Sequence, residues 1–158
     1  MFHPALLHLN GAQPGQEMVV NSWGVTNSWP AGMPGAFPVH NPDTIVIKDI
    51  EHWRDYVHAP SLEFPDEDWE LIKGVMDTVD SNLAYKAPFE APGLFEQCHH
   101  LGEIQNTMVN LMCYEDEMHD LIKYLTEYEL KMAEDICAKL HPDCIFHHDD
   151  WGSRTSTF

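Results

Sequence analysis

Basic residues are scarce in this chain: 8 lysines and arginines stand against 26 aspartates and glutamates, a formal net charge of -18. Without a cationic patch there is nothing to release counterions from a phosphate backbone or an anionic bilayer, so no nucleic acid and no membrane surface is expected as a partner. Long apolar runs are missing as well. Nothing approaches the ~20 consecutive apolar residues of a membrane span, and the first residues lack the basic-then-apolar order of a secretory leader. The expected location is cytoplasmic.

Cysteine is sparse and unpatterned. Cys98, Cys113, Cys137 and Cys144 form no CxxC pair and lie on or beside apolar periodic segments, as reduced, mostly packed thiols do. GxGxxG, P-loop, GxSxG and kinase patterns are absent, which argues against a Rossmann dehydrogenase, a nucleotide hydrolase and an α/β-hydrolase. What remains is an ordinary core-forming composition: 44% hydrophobic and 11% aromatic residues in a chain of 158. A domain of that size buries roughly 70% of its unfolded surface.

Two regions differ in texture. Residues 1–65 are rich in Pro, Gly, Asn and Trp and read as an irregular lobe. Within it Asn21 to Thr26 is a candidate strand, and Ile50, Trp53 and Val57 mark a short helix that stops before Pro60. Trp23, Trp29 and Phe37 offer either a lid over a flat substrate or the core of the lobe.

Residues 66–158 are regular. Asp66 caps a helix carrying Trp69, Ile72, Val75, Met76 and Val79, and Leu83 to Phe89 is a candidate strand. One or two helices follow Gly93. A long helix from Glu115 to Leu140 places Met118, Leu121, Ile122, Leu125, Tyr128, Met132 and Ile136 on one stripe, with Glu115 to Glu117, Glu127 and Glu129 read as solvated surface. His141-Pro142 ends it, and Cys144 to His148 is the next strand. Strand, helical crossover, strand is a parallel βαβ unit.

Ligands of α/β sheets gather beyond the carboxyl ends of the strands. That rule selects Phe89 and Glu90 after the first strand and His147, His148, Asp149, Asp150 and Trp151 after the second. Alternation puts His148 and Asp150 on one side and His147 and Asp149 on the other. Such a cluster can orient a water or hold a substrate N–H, while the plainer alternative is a solvated loop whose Asp caps a helix at Gly152-Ser153. A metal is not expected, because neighbouring strand side chains diverge and no HExxH accompanies them. Cys98-His99-His100 falls on the helix after Pro92, where consecutive residues point ~100° apart and cannot chelate one ion together.

Two segments resemble the uroporphyrinogen decarboxylase superfamily. Ala87-Pro88-Phe89-Glu90-Ala91-Pro92-Gly93-Leu94-Phe95-Glu96 is similar to its strand and Ala-Pro helix start, and Phe146 to Gly152 is similar to its Phe-Asp-Ser-Trp-Gly segment. Pro38 to Trp53 also resembles its bacterial methyltransferase-like branches.

The resemblance implies an α/β fold, part of a (β/α)8 TIM barrel behind a Pro/Gly-rich N-terminal lobe. Residues 1–158 would be a single partial domain from the interior of such a barrel. It implies Asp149, Asp150 and His148 as catalytic residues, and Phe89, Glu90, Cys98, His147 and Trp151 as substrate contacts.

The activity implied first is a methyltransferase acting between a small methylated substrate or corrinoid protein and a thiol. The alternatives are uroporphyrinogen decarboxylase itself, acting on a porphyrinogen, and a truncated chain without activity. Cys98 stands where the decarboxylases have an active-site tyrosine, and Asp150 stands where Ser is usual. Zinc in methyltransferase relatives is held by His and Cys outside these residues, so no cofactor is expected on this chain. A homodimer is compatible with the reading.

Overall fold

A computed structural model describes residues 3–150. The order of elements is α1 (Pro4–Leu7), β1 (Val19–Val20), β2 (Thr26–Ser28), β3 (Phe37–Pro38), a 3-10 helix (Ile50–Asp55), α2 (Asp66–Met76) and β4 (Phe89–Glu90). Then come α3 (Leu94–Gly102), α4 (Ile104–Cys113), α5 (Glu115–Leu140) and β5 (Phe146–His147).

The expected part of a TIM barrel is not what these residues form. Their strands are two or three residues long and lie in two separate sheets, β1-β2-β3 antiparallel and β4-β5 parallel, and no barrel closes. Closure needs tilted, staggered strands around a filled interior. Here the outward side of β4-β5 carries Phe89 and Phe146, stacked on each other with ring centroids 5.4 Å apart and both exposed. The parallel pairing itself is present, Phe89 opposite Phe146 and Glu90 opposite His147.

Local chemistry explains where elements stop. Asn21 to Val25 is a turn between β1 and β2, not a strand, because Asn21 Oδ1 accepts from the amides of Trp23 and Val25 and Gly24 sits at φ +80°, a conformation that favours glycine. The segment before Phe89 is likewise no strand. Its Leu83 amide turns back onto the Asp80 carbonyl, Leu83 and Tyr85 are exposed, and Pro88 has no donor for a ladder. The helix after Gly93 divides at Glu103, whose φ is +72° and whose Oε2 caps α4 by accepting from the Gln105 and Asn106 amides.

Helix α5 is the spine. Its 26 residues span ~39 Å at 1.5 Å per residue, with three acids in the first turn where the helix dipole favours them. One end of its apolar stripe, Met118, Leu121 and Leu125, packs with Trp23, Trp53, Cys98 and Leu101; the other, Met132 and Ile136, packs with Trp69, Ile72 and Met76. Helix α5 thus runs through two core clusters, with Tyr128 packed against both, and is followed by His141 in the left-handed region, before Pro142.

Among the described residues, no helix is long and apolar enough to cross a membrane. The four cysteines are unpaired, Cys98 buried and the others exposed.

Candidate functional site

Parallel pairing brings the two strand ends side by side, and alternation then sorts their side chains. Glu90 and His147 share the face turned toward α5, whereas Phe89, Phe146 and His148 share the outward face. The register left open by the sequence is thus settled for the histidines.

On the inner face His147 Nε2 hydrogen-bonds Glu129 Oε2 of α5 at 2.9 Å. Only 13% of the Glu129 side chain is exposed. Burial, reinforced by the carboxylates of Glu90 and Asp149 and opposed by the His147 hydrogen bond, raises Glu129 to about 7. Glu90 is 3% exposed, its Oε1 has no hydrogen-bond partner, and burial holds it above the usual carboxylate range against the pull of His147. Among the described residues, no lysine or arginine ion pair reaches this group: their ion pairs are with Asp120, Glu70, Asp77, Asp135 and Asp66.

On the outer face Glu96 takes the corresponding place. His148 Nδ1 lies 3.3 Å from its Oε2, and His100 Nε2 lies 3.8 Å from its Oε1. Burial raises Glu96 too, with His148 lowering it and Asp150 and Asp149 raising it. His100 is driven down to about 3 by burial and by the neighbouring His99 and His40, so it stays neutral at physiological pH.

Asp149 joins the two faces. Its Oδ2 accepts from the Phe95 amide at 3.0 Å and its Oδ1 from the Glu96 amide at 2.8 Å, so it caps α3 from the far end of β5. Gly93 leaves the room: a methyl group there would collide with Asp149 Cβ and lie 2.6 Å from both Asp149 Cγ and the His148 carbonyl oxygen. The helix start expected at Gly152-Ser153 lies outside the described residues; the cap that Asp149 makes is on α3.

The remaining sequence-selected residues are scattered. Asp150 is exposed and donates its amide to Asp149 Oδ1. Cys98 is 2% exposed and faces an apolar cavity with Thr107 and Met118; burial first, then Asp149 and Glu129, pushes its thiol up to about 12. Such a thiol is a poor nucleophile. Trp151 lies outside the described residues. Of the lobe aromatics, Trp23 is core, edge-on to Tyr128, Trp29 donates Nε1–H to the Met33 carbonyl, and Phe37 is exposed; they do not converge as a lid.

Among the described residues no group of three or more His, Cys, Asp or Glu is arranged to hold a metal ion. The donors among the described residues do not fit zinc. Glu129, Glu96 and Gln97 were missed by the sequence reading. The signal for Glu129 was available: it lies four residues after Leu125 and three before Met132, on the buried stripe.

No family model matches the chain, and neither a curated protein nor a solved structure matches significantly.

Proposed function

We propose that the inner face of β4-β5 is a proton-transfer site for a small molecule, and that the chain serves methyl transfer from a small methylated substrate to a thiol. The supporting observation is Glu129: a mostly covered carboxyl raised to about 7 and hydrogen-bonded to an imidazole at the strand ends. In the proposed reaction the carbon–sulfur bond forms as the methyl group leaves its donor atom. The thiol proton passes through His147 to Glu129 and returns to the leaving group. A corrinoid protein is the other methyl donor that the resemblance implies. The reading keeps the implied activity, not the barrel. Four unpaired cysteines, three of them exposed, support a reducing compartment such as the cytoplasm.

Porphyrinogen decarboxylation is the second reading and fits less well, because Glu90, Glu129 and Asp149 at the strand ends repel a substrate bearing many carboxylates. Assays of both reactions with the whole chain test the choice. Methyl transfer to a thiol is expected, and Glu129→Gln should lower kcat by ~10²–10⁴-fold, the usual worth of a positioned acid or base. Coproporphyrinogen formation would select the decarboxylase reading. Turnover in neither assay would overturn both readings.

A further inference from the structure

Glu129 lines a cavity of about 30 Å³, and part of the wall of that cavity is Ala5, Leu6 and Leu9. The remaining wall belongs to Trp23, to the segment after β4, and to α3 and α5. One water needs roughly 10–15 Å³ of such space, so two waters fill it. The two reactants of a methyl transfer do not fit beside Glu129 while residues 3–9 are seated.

That segment is weakly held. Helix α1 is four residues long, and a single turn has no stability of its own in water. Its buried residues are the small Pro4 and Ala5, whereas Leu7 is exposed. Among the described residues, two hydrogen bonds tie residues 3–9 to the rest of the chain. Ser22 donates its amide to the Leu9 carbonyl at 2.8 Å, and His8 Nε2 meets Asp68 Oδ2 at 3.0 Å on the exposed surface. Ring contacts add to these: His8 stacks on Phe64, and His3 is edge-on to Phe64 and Trp69.

The seated arrangement also leaves polar atoms unsatisfied. His3 Nδ1 accepts from the Ala5 amide, which puts the ring hydrogen on Nε2, and that buried atom has no hydrogen-bond partner. Neither has Nε2 of Gln97 in the cavity wall. Buried donors without acceptors cost free energy, and water removes that cost when the segment moves away.

We propose that residues 3–9 form a lid over Glu129: seated, they shut the cavity, and displaced, they open it to reactants. This control of access rests on the proton-transfer reading for its role in turnover, though not for the motion itself.

The test uses the whole chain and two readouts by mass spectrometry, hydrogen exchange of backbone amides and the rate at which a water-soluble carbodiimide with glycine amide labels Glu129. The Ser22 amide reports release of Leu9, and the Met132 amide inside α5 reports opening of the core. After correction for intrinsic rates, Ser22 should exchange at least ~10²-fold faster than Met132, as a locally opening unit does. His8→Ala removes the Asp68 tie and the Phe64 stack at an exposed position. It should speed Ser22 exchange and Glu129 labelling by one common factor, about 2–5-fold, the worth of an exposed pair, with Met132 unchanged.

Exchange of Ser22 only together with Met132 would overturn the proposal. So would faster Ser22 exchange with unchanged labelling of Glu129, because α1 would then fray without uncovering the site. A moving lid on a chain that transfers no methyl group would overturn the functional reading and leave the lid standing; methyl transfer by a chain whose residues 3–9 open only with the core would do the reverse.

Discussion

Two imidazole–carboxylate pairs lie back to back across one short strand pair. The imidazoles of His147 and His148 are equally exposed, 43% and 45%, yet their partners are not: 13% of the Glu129 side chain is exposed against 21% of Glu96. The contact is also shorter on the inner face, 2.9 Å against 3.3 Å. Both have carboxylate neighbours, Glu90 and Asp149 beside Glu129 and Asp150 and Asp149 beside Glu96, and of these Glu90 is itself buried. Two adjacent histidines thus meet different carboxyls because the strand turns them to opposite sides: one a carboxyl raised to about 7, the other a somewhat more exposed carboxyl that also lies near a neutral His100.

Removing the joint between the pairs should have the largest effect. Gly93→Ala forces Asp149 and the His148 backbone off the start of α3, and a loss of about 3 kcal/mol is expected in denaturant unfolding, as for an overpacked site. Retention of full stability would show that the α3 start is loosely seated.

The next largest effect separates the pairs by pH. Glu129 holds its proton more tightly folded than unfolded, so its stabilising contribution is complete below the ordinary value of 4.5 and is lost as pH rises through about 7. Between those limits the wild-type chain should lose on the order of 2 kcal/mol relative to Glu129→Gln. Glu96→Gln should flatten the profile less, the comparison being read from unfolding curves at pH 5 and pH 8.

A smaller loss, about 1 kcal/mol, is expected for Asp149→Ala, which leaves the Phe95 and Glu96 amides without their cap. Unfolding midpoints check it, and a change within error would mean that water replaces the carboxylate at no cost.

Much of the helical scaffold was legible in the sequence because 3.6-residue spacing survives where a helix packs on one side. Glu115 to Leu140 follows from that spacing with the stop at His141-Pro142, whereas Asp66 is the first residue of α2 and not its cap: Pro65 holds the cap position and no side chain caps it. The strand ends were legible for another reason: short apolar runs flanked by Pro and polar residues placed Glu90 and His147 at the site.

That these strands form no barrel was not legible, since two-residue strands carry too little pattern to specify how many partners they have. Glu129 was hidden by its charge, which suggested solvent although its position matched the buried stripe. His3 was hidden by the irregular lobe: it is fully buried, edge-on to Trp69 and Phe64, with its Nδ1 accepting from the Ala5 amide. Only tertiary packing brings those rings to the first residues.

The most direct test of the contrast is a carbon-13 NMR titration that follows the side-chain carboxyl carbons of Glu129 and Glu96 in the same sample. Glu129 should titrate near 7, with Glu96 raised to a lesser degree, and Glu90→Gln should move Glu129 downward by relieving the repulsion between the two acids. Titration of Glu129 in the ordinary carboxylate range, together with Glu96, would contradict the account: the inner face would then hold an ordinary ion pair and no acid poised for proton transfer.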